Sequence, residues 1–380
     1  MSHPFSLSDV YDSNLNFLIG AGASAGLFPT LALNLQDHDG NRMSIESLAT
    51  LMQNGKEDPV HTAIFMHYYK ECIEPVLMTD YASAGQDQVK LDVLKNYETF
   101  LRTILSTLIR KKTGDTRVCN IFTTNYDGCF AHAAEQIIES ESVQFFLNDG
   151  TLGFKRKFLD AKNFGTRLSQ TGVFKQHRHD LPQINLVHLH GSAYWRKYGE
   201  KIKVDYITGN GDRLVKDVAF EKIKGFSETL ANKDSKVADL PTPELEKSDI
   251  DNFWLAYDKL PIVNPTKWKF HETVFEEHYY QMLRYLSYEL ERHNTTLIAF
   301  GFSFADEHIR NLVRRSLSNP SLQVFVFCRN ETAKSSIEKF FSGNPNVIAI
   351  TLEEELNFTK FNSDVFAQKL KEAPTQKEEV

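Results

Sequence analysis

Four short stretches hold the residues whose types and spacing could do chemistry. In chain order they are GAGASAG (Gly20–Gly26), TTNYD (Thr123–Asp127), HLHGS (His188–Ser192) and GFSFADEHI (Gly301–Ile309). In the first, Gly20 and Gly22 would let backbone amides approach a pyrophosphate, and a following helix start would add the positive end of a dipole. The spacing G-x-G-x-x-x-G misses the strict dinucleotide fingerprint by one residue. Asp37 and Asp39, about twenty residues on, fall in a polar turn and not at the end of a second strand. A redox loop is thereby weakened, and two readings stay open: a phosphate cradle or a tight turn.

TTNYD offers an amide, hydroxyls and a carboxylate that could orient a ribose or a water; the same residues are ordinary helix caps. In HLHGS, His188 and His190 are two apart, so they share one face of a strand unless the strand ends between them. No carboxylate or cysteine lies near them in the sequence, which argues against a metal site. His190, just before a glycine, suits a general base or a polar loop position. In the fourth stretch Gly301 and Ser303 suit close approach to a phosphate or ribose, while Asp306 reads as the cap of a helix carrying His308 and Arg310. Cys328, Arg329 and Asn330, at the end of the next strand, could contact an adenosine or form a plain turn.

The elements that must position these groups can be read from periodicity. LNFLIG, VCNIFT, LVHLH, TTLIAF, LQVFVF and NVIAIT are apolar runs of strand length. Between them VKLDVLKNYETFLRTILSTLI, GCFAHAAEQIIES, HETVFEEHYYQMLRYLSYELERH, ADEHIRNLVRRSL and ETAKSSIEKFF have helical spacing. Strands alternating with helices predict an α/β, Rossmann-like parallel sheet with helices on both faces. Ligands of such sheets collect at the carboxyl ends of the strands, where all four stretches fall. From about residue 143 to 269 the pattern degrades, which predicts a mostly helical or irregular insertion or lid within a single domain spanning 1–370. The charged end, 371–380, reads as a flexible tail.

Bulk composition narrows the function classes. With 380 residues the chain can bury a large core, and a net charge of −7 argues against wholesale polyanion binding. A Lys/Arg-rich stretch from Lys155 to Lys224 raises a nuclease, but no carboxylate cluster accompanies it, and a solvated face is the plainer account. The start has no signal-peptide pattern, and no segment has the length and apolarity of a membrane span, so a cytoplasmic protein is expected. Cys72, Cys119, Cys129 and Cys328 are scattered without a C-x-x-C pair, which argues against a zinc module or a disulfide framework.

As a set, GAGAS, TTNYD, HLHGS and GFSF stand in the order and spacing of the sirtuin-like family. The chain resembles that family's divergent branch of NAD-consuming bacterial antiviral proteins more than its protein deacetylases. The resemblance implies that Gly20, Ala21, Gly22, Ser24 and Thr124 hold NAD phosphates or ribose, with Gly301, Ser303 and Asn330 as later contacts. It implies that Asn125 sits near the nicotinamide ribose, that Asp127 is the acid beside it, and that His190 is the catalytic histidine. The deacetylases' four-cysteine zinc domain has no counterpart here, since no cysteine lies between Cys129 and Cys328. The implied activity is therefore an NAD glycohydrolase of antiphage defence with NAD as substrate and no metal. A deacylase and a non-catalytic NAD or ADP-ribose sensor are the alternatives. The resemblance also implies a homo-oligomer and a HerA-type hexameric ATPase partner, through which alone nucleic acid would be met.

Overall fold

Seven apolar runs pair into one sheet in the computed structural model, which describes residues 5, 11–52, 54–81, 87–111, 116–141, 143–171, 178–206, 215, 218–264 and 273–366. The expected tail, 371–380, lies outside them. The strands are β1 (Asn14–Ile19), β2 (Val118–Thr123), β3 (Phe146–Asn148), β4 (Gln183–His188), β5 (Thr295–Phe300), β6 (Leu322–Phe327) and β7 (Val347–Ile350). They lie in the order β7-β6-β5-β1-β2-β4-β3, with every neighbouring pair parallel.

Continuous apolar runs are what a sheet covered on both faces needs. Alternate residues separate into two cores. Phe17, Ile121, Ile184 and Ile298 point into one, and Leu18, Phe122, Val187 and Leu297 into the other. Helices α1 (Gln88–Ile109) and α2 (Cys129–Glu139) close the first core with Tyr97, Phe100 and Phe130. Helices α3 (Thr273–Glu291), α4 (Glu307–Ser316) and α5 (Glu331–Phe340) close the second with Leu286, Val313 and Ile337. The fold is the expected α/β, Rossmann-like one.

Register is pinned by a polar ladder inside the sheet. Asn16, Asn120 and Asn185 lie side by side on β1, β2 and β4. Asn185 Nδ2 donates to Asn120 Oδ1 at 2.7 Å, and Asn120 Nδ2 to Asn16 Oδ1 at 2.8 Å. A slip of one residue would break both bonds and turn each apolar face over.

Strands β3 and β4 both arise within the 143–269 stretch, which therefore builds part of the main sheet. The stretch also contains a four-stranded antiparallel sheet of Thr151–Leu152, Lys157–Leu159, Trp195–Tyr198 and Lys201–Val204, with helices Lys224–Ala231 and Lys247–Tyr257. The expectation of mostly helical or irregular chain is corrected on this point. Strands of two to four residues carry too little alternation to be read from sequence.

From β1 the chain moves through β2 to β4 on one side, then returns to β5 on the other side of β1. The strand order thus reverses at β1, and the loops at the carboxyl ends of the strands around that point border a crevice. Among the described residues no helix is long and apolar enough to cross a membrane.

Candidate active site

A cavity of about 740 Å³ occupies that crevice. Its wall combines Ala21, Gly22 and Ser24 after β1 with Thr124 to Asp127 after β2, His190 after β4, and Gly301, Ser303 and Asp306 after β5. Residues Phe28 to Asn34 and Arg42 to Ser44 also line it. The volume is within the range of small-molecule and cofactor sites.

The glycines are explained by loop packing before any ligand is considered. Gly20 N donates to Phe300 O and Gly22 N to Gly301 O, both at 3.0 Å. A Cβ on Gly20 would stand 2.5 Å from Gly301 O, and one on Gly22 would stand 2.7 Å from Gly301 Cα. Gly301 itself has a φ of +65°, and a Cβ there would meet Ala23 N at 2.6 Å. The loops after β1 and β5 thus interlock backbone to backbone. The amides of Gly20 and Gly22 are committed to that contact, which corrects the expectation that they point at a phosphate. Gly20 lies behind the cavity wall, whereas Ala21 and Ser303 are part of it.

Ser24 also faces inward. Its buried Oγ donates to Asp127 Oδ2 at 2.6 Å and lies 2.7 Å from the hydroxyl of Tyr97, on α1. Asp127 Oδ1 accepts Cys129 N at 3.1 Å at the start of α2, so this carboxylate holds the loop, as a helix cap would. Thr124 N donates to Ile19 O at 3.2 Å, tying the end of β2 to β1. Asn125 is positioned by its backbone N–H on Thr123 Oγ1 at 3.0 Å. Its Nδ2 lies 3.3 Å from Ser24 Oγ and 3.4 Å from the Tyr97 hydroxyl. Its Oδ1 is buried without a hydrogen-bond partner among the described residues.

The two histidines separate because β4 ends at His188. His188 turns into the protein, where its Nδ1 donates to Asn125 O at 3.1 Å. Burial pulls its pKa down, so it is neutral and the Nδ1–H tautomer is fixed by that carbonyl. His190 belongs to the cavity wall, and its Nε2 lies 3.0 Å from Asp306 Oδ2. The carboxylate partner missing from the neighbouring sequence comes from the loop after β5. Asp306 does cap α4, as expected, through Oδ1 to His308 N at 2.9 Å and Ile309 N at 3.2 Å.

Asn330 is not brought to this cavity. It caps α5, its side chain accepting Ala333 N at 3.0 Å, and it is exposed. Two site residues escaped the sequence reading. Asp306 was legible only as a cap, and Tyr97 occupies an ordinary apolar position of an amphipathic helix with nothing local to mark it. Among the described residues no group of three or more His, Cys, Asp or Glu side chains is placed to hold a metal ion.

Fold and cavity together define an α/β protein with a cavity at a topological switch point of a parallel sheet, the place where ligands of such sheets collect. The chain belongs to the SIR2-like domain family, whose profile matches residues 120–346. That match covers three of the four strand-end stretches and begins after the glycine loop. The family works on NAD. No curated protein sequence matches the chain significantly. The cavity suits such a ligand: it is large enough, and Asn125 Oδ1 is a buried acceptor with no hydrogen-bond partner among the described residues.

Proposed function

We propose that the protein is an NAD glycohydrolase that cleaves the nicotinamide–ribose bond, releasing nicotinamide and ADP-ribose. The observation that carries this reading is the meeting of Asn125 and the His190–Asp306 pair on one cavity beside the interlocked glycine loops. Nicotinamide leaves with the bond's electron pair, which neutralises its ring cation. What the protein must supply is stabilisation of a cationic sugar and a placed water, the same problem as glycoside cleavage. Asn125 Oδ1 accepts a hydrogen bond from the ribose or the attacking water. As the water oxygen bonds to the ribose carbon, His190 takes the proton released, and Asp306 stabilises the resulting imidazolium. General-base help of this kind is worth roughly two to four orders of magnitude. Ala21, Thr124, Ser303 and the rim of the β5 loop contact phosphate and ribose, while Asp127 keeps the loop after β2 in place.

The test is nicotinamide release from NAD by the wild type, Asn125→Ala and His190→Ala. Loss of turnover in both variants supports the assignment; full turnover in either removes that residue from the mechanism. Consumption of NAD only together with an acetyl-lysine peptide would make the protein a deacylase. Binding of ADP-ribose without any turnover would make it a sensor. By its resemblance to antiphage effectors, the enzyme acts by depleting NAD, as a homo-oligomer held in check with a HerA-type ATPase. Nicotinamide release measured with and without that ATPase, beside the oligomer mass, tests this part.

A further inference from the structure

The hydroxyl of Tyr97 stands at the junction of three side chains, 2.7 Å from Ser24 Oγ and 3.4 Å from Asn125 Nδ2, with Asp127 one bond further on. We infer that Tyr97 is a positioning residue that sets which way the Asn125 amide faces. The inference rests on the proposed role of Asn125 in acting on NAD.

The argument follows the protons. The Asp127 carboxylate only accepts, so the single hydroxyl proton of Ser24 is spent on Asp127 Oδ2 at 2.6 Å. Ser24 Oγ therefore has lone pairs alone to offer Tyr97, and at 2.7 Å the phenol must be the donor. With its proton spent on Ser24, Tyr97 also presents only lone pairs to Asn125. The amide of Asn125 thus faces two oxygens, Ser24 Oγ and Tyr97 Oη, that can only accept. Only its NH2 end can satisfy them, and the reverse orientation would set Oδ1 against two lone-pair-bearing oxygens in a buried place, where repulsion is little screened. The direction of hydrogen bonding runs from Asn125 through Tyr97 and Ser24 to Asp127.

The consequence is chemical. With Nδ2 held by Ser24 and Tyr97, the end of the Asn125 amide left without a hydrogen-bond partner among the described residues is the acceptor, the buried Oδ1 of a residue that lines the cavity. An acceptor there binds a hydroxyl or a water and would repel the carbonyl oxygen of a carboxamide. Burial raises the Tyr97 pKa well above that of a free phenol, so the donor proton stays in place at any working pH. The ring is held independently of the hydroxyl. Tyr97 packs edge-on against Phe130 at 4.7 Å and Phe358 at 5.1 Å between centroids, contacts that a phenylalanine would keep.

Tyr97→Phe is the direct test, with Ser24→Ala as a second variant that breaks the same relay from its other member. Each is assayed for kcat and KM in nicotinamide release, for ADP-ribose affinity by calorimetry, and for Tm. Loss of one net hydrogen bond predicts that kcat falls about tenfold or that ADP-ribose binds about tenfold more weakly. A purely structural role would instead move Tm and leave kcat per folded enzyme unchanged; here Tm stays within about 4 °C. Wild-type kcat and affinity in both variants overturn the inference while leaving the NAD reading intact. A wild type that binds ADP-ribose without turnover leaves the affinity arm to decide. A wild type that neither binds ADP-ribose nor releases nicotinamide overturns the NAD reading, and the role of Tyr97 falls with it.

Discussion

His190 Nε2 and Asp306 Oδ2 meet at 3.0 Å although their loops follow β4 and β5, which the sheet separates by β1 and β2. The pair therefore joins two loops that both line the cavity. The same carboxylate divides its oxygens between two tasks, since Oδ1 caps α4 while Oδ2 faces the imidazole.

That division allows the two tasks to be separated by mutation. Asp306→Asn keeps an oxygen for the cap, and Asn and Asp cap about equally well, so Tm should barely move. Nicotinamide release should fall roughly ten- to a hundredfold, a part of the 10²–10⁴ that general-base help is worth. Asp306→Ala should add a loss of about 1 kcal/mol in unfolding free energy. Steady-state kinetics and thermal melts of both variants check this; a fully active Asp306→Asn would show that the contact between Asp306 and His190 is idle.

The two histidines should behave differently. His190→Gln removes the base and should lower turnover by roughly 10²–10⁴. His188→Gln sits outside the cavity and leaves Asn125 O without its donor, which should cost about 1–3 kcal/mol of stability. Its kcat should remain within about tenfold of wild type, because no proton passes through it. Parallel kinetics and urea titrations distinguish the two, and equal kinetic losses would contradict the assignment.

The interlock of the glycine loops predicts a steep stability cost. Gly301→Ala adds a Cβ 2.6 Å from Ala23 N at a φ of +65°, so it should lose at least about 2 kcal/mol and weaken ADP-ribose binding. Gly225→Ala, inside the helix Lys224–Ala231 with open space around it, should stabilise by about 0.4–1 kcal/mol. Urea unfolding of both variants is the measurement, and a neutral Gly301→Ala would refute the interlock.

Stability should also fall in mild acid through His67. This residue, on the helix Pro59–Tyr68, is buried, and burial lowers its pKa from 6.5 to about 4. Between those values the unfolded chain holds the proton and the folded chain does not. The contribution is therefore complete above the unfolded pKa and is lost as pH falls toward the folded one. It amounts to about 2 kcal/mol between pH 7 and pH 5. His67→Gln should flatten that interval in urea unfolding; an unchanged slope would mean that other groups set it.

Much of the fold was legible because strand and helix periodicity is local. LNFLIG and TTLIAF read as buried strands from their own residues, and they are β1 and β5. The short antiparallel strands were illegible because a run such as KFL, Lys157–Leu159, is too brief to show a period. The site was legible as four strand ends, but the orientation of its side chains was not. Ser24 read as a phosphate contact and turns instead to Asp127, and Asn330 read as an adenosine contact and caps a helix.

The sequence by itself determined that the chain forms alternating strands and helices and that polar, glycine-bearing loops follow the strands, since both depend on neighbours a few residues apart. Only the tertiary structure decided that Gly20 and Gly22 answer to Gly301, that His190 finds Asp306, and that Tyr97 stands behind Asn125. Those pairings depend on the order of strands in the sheet. Strand order follows from how two apolar faces are buried against the helices, and no spacing within one element records it.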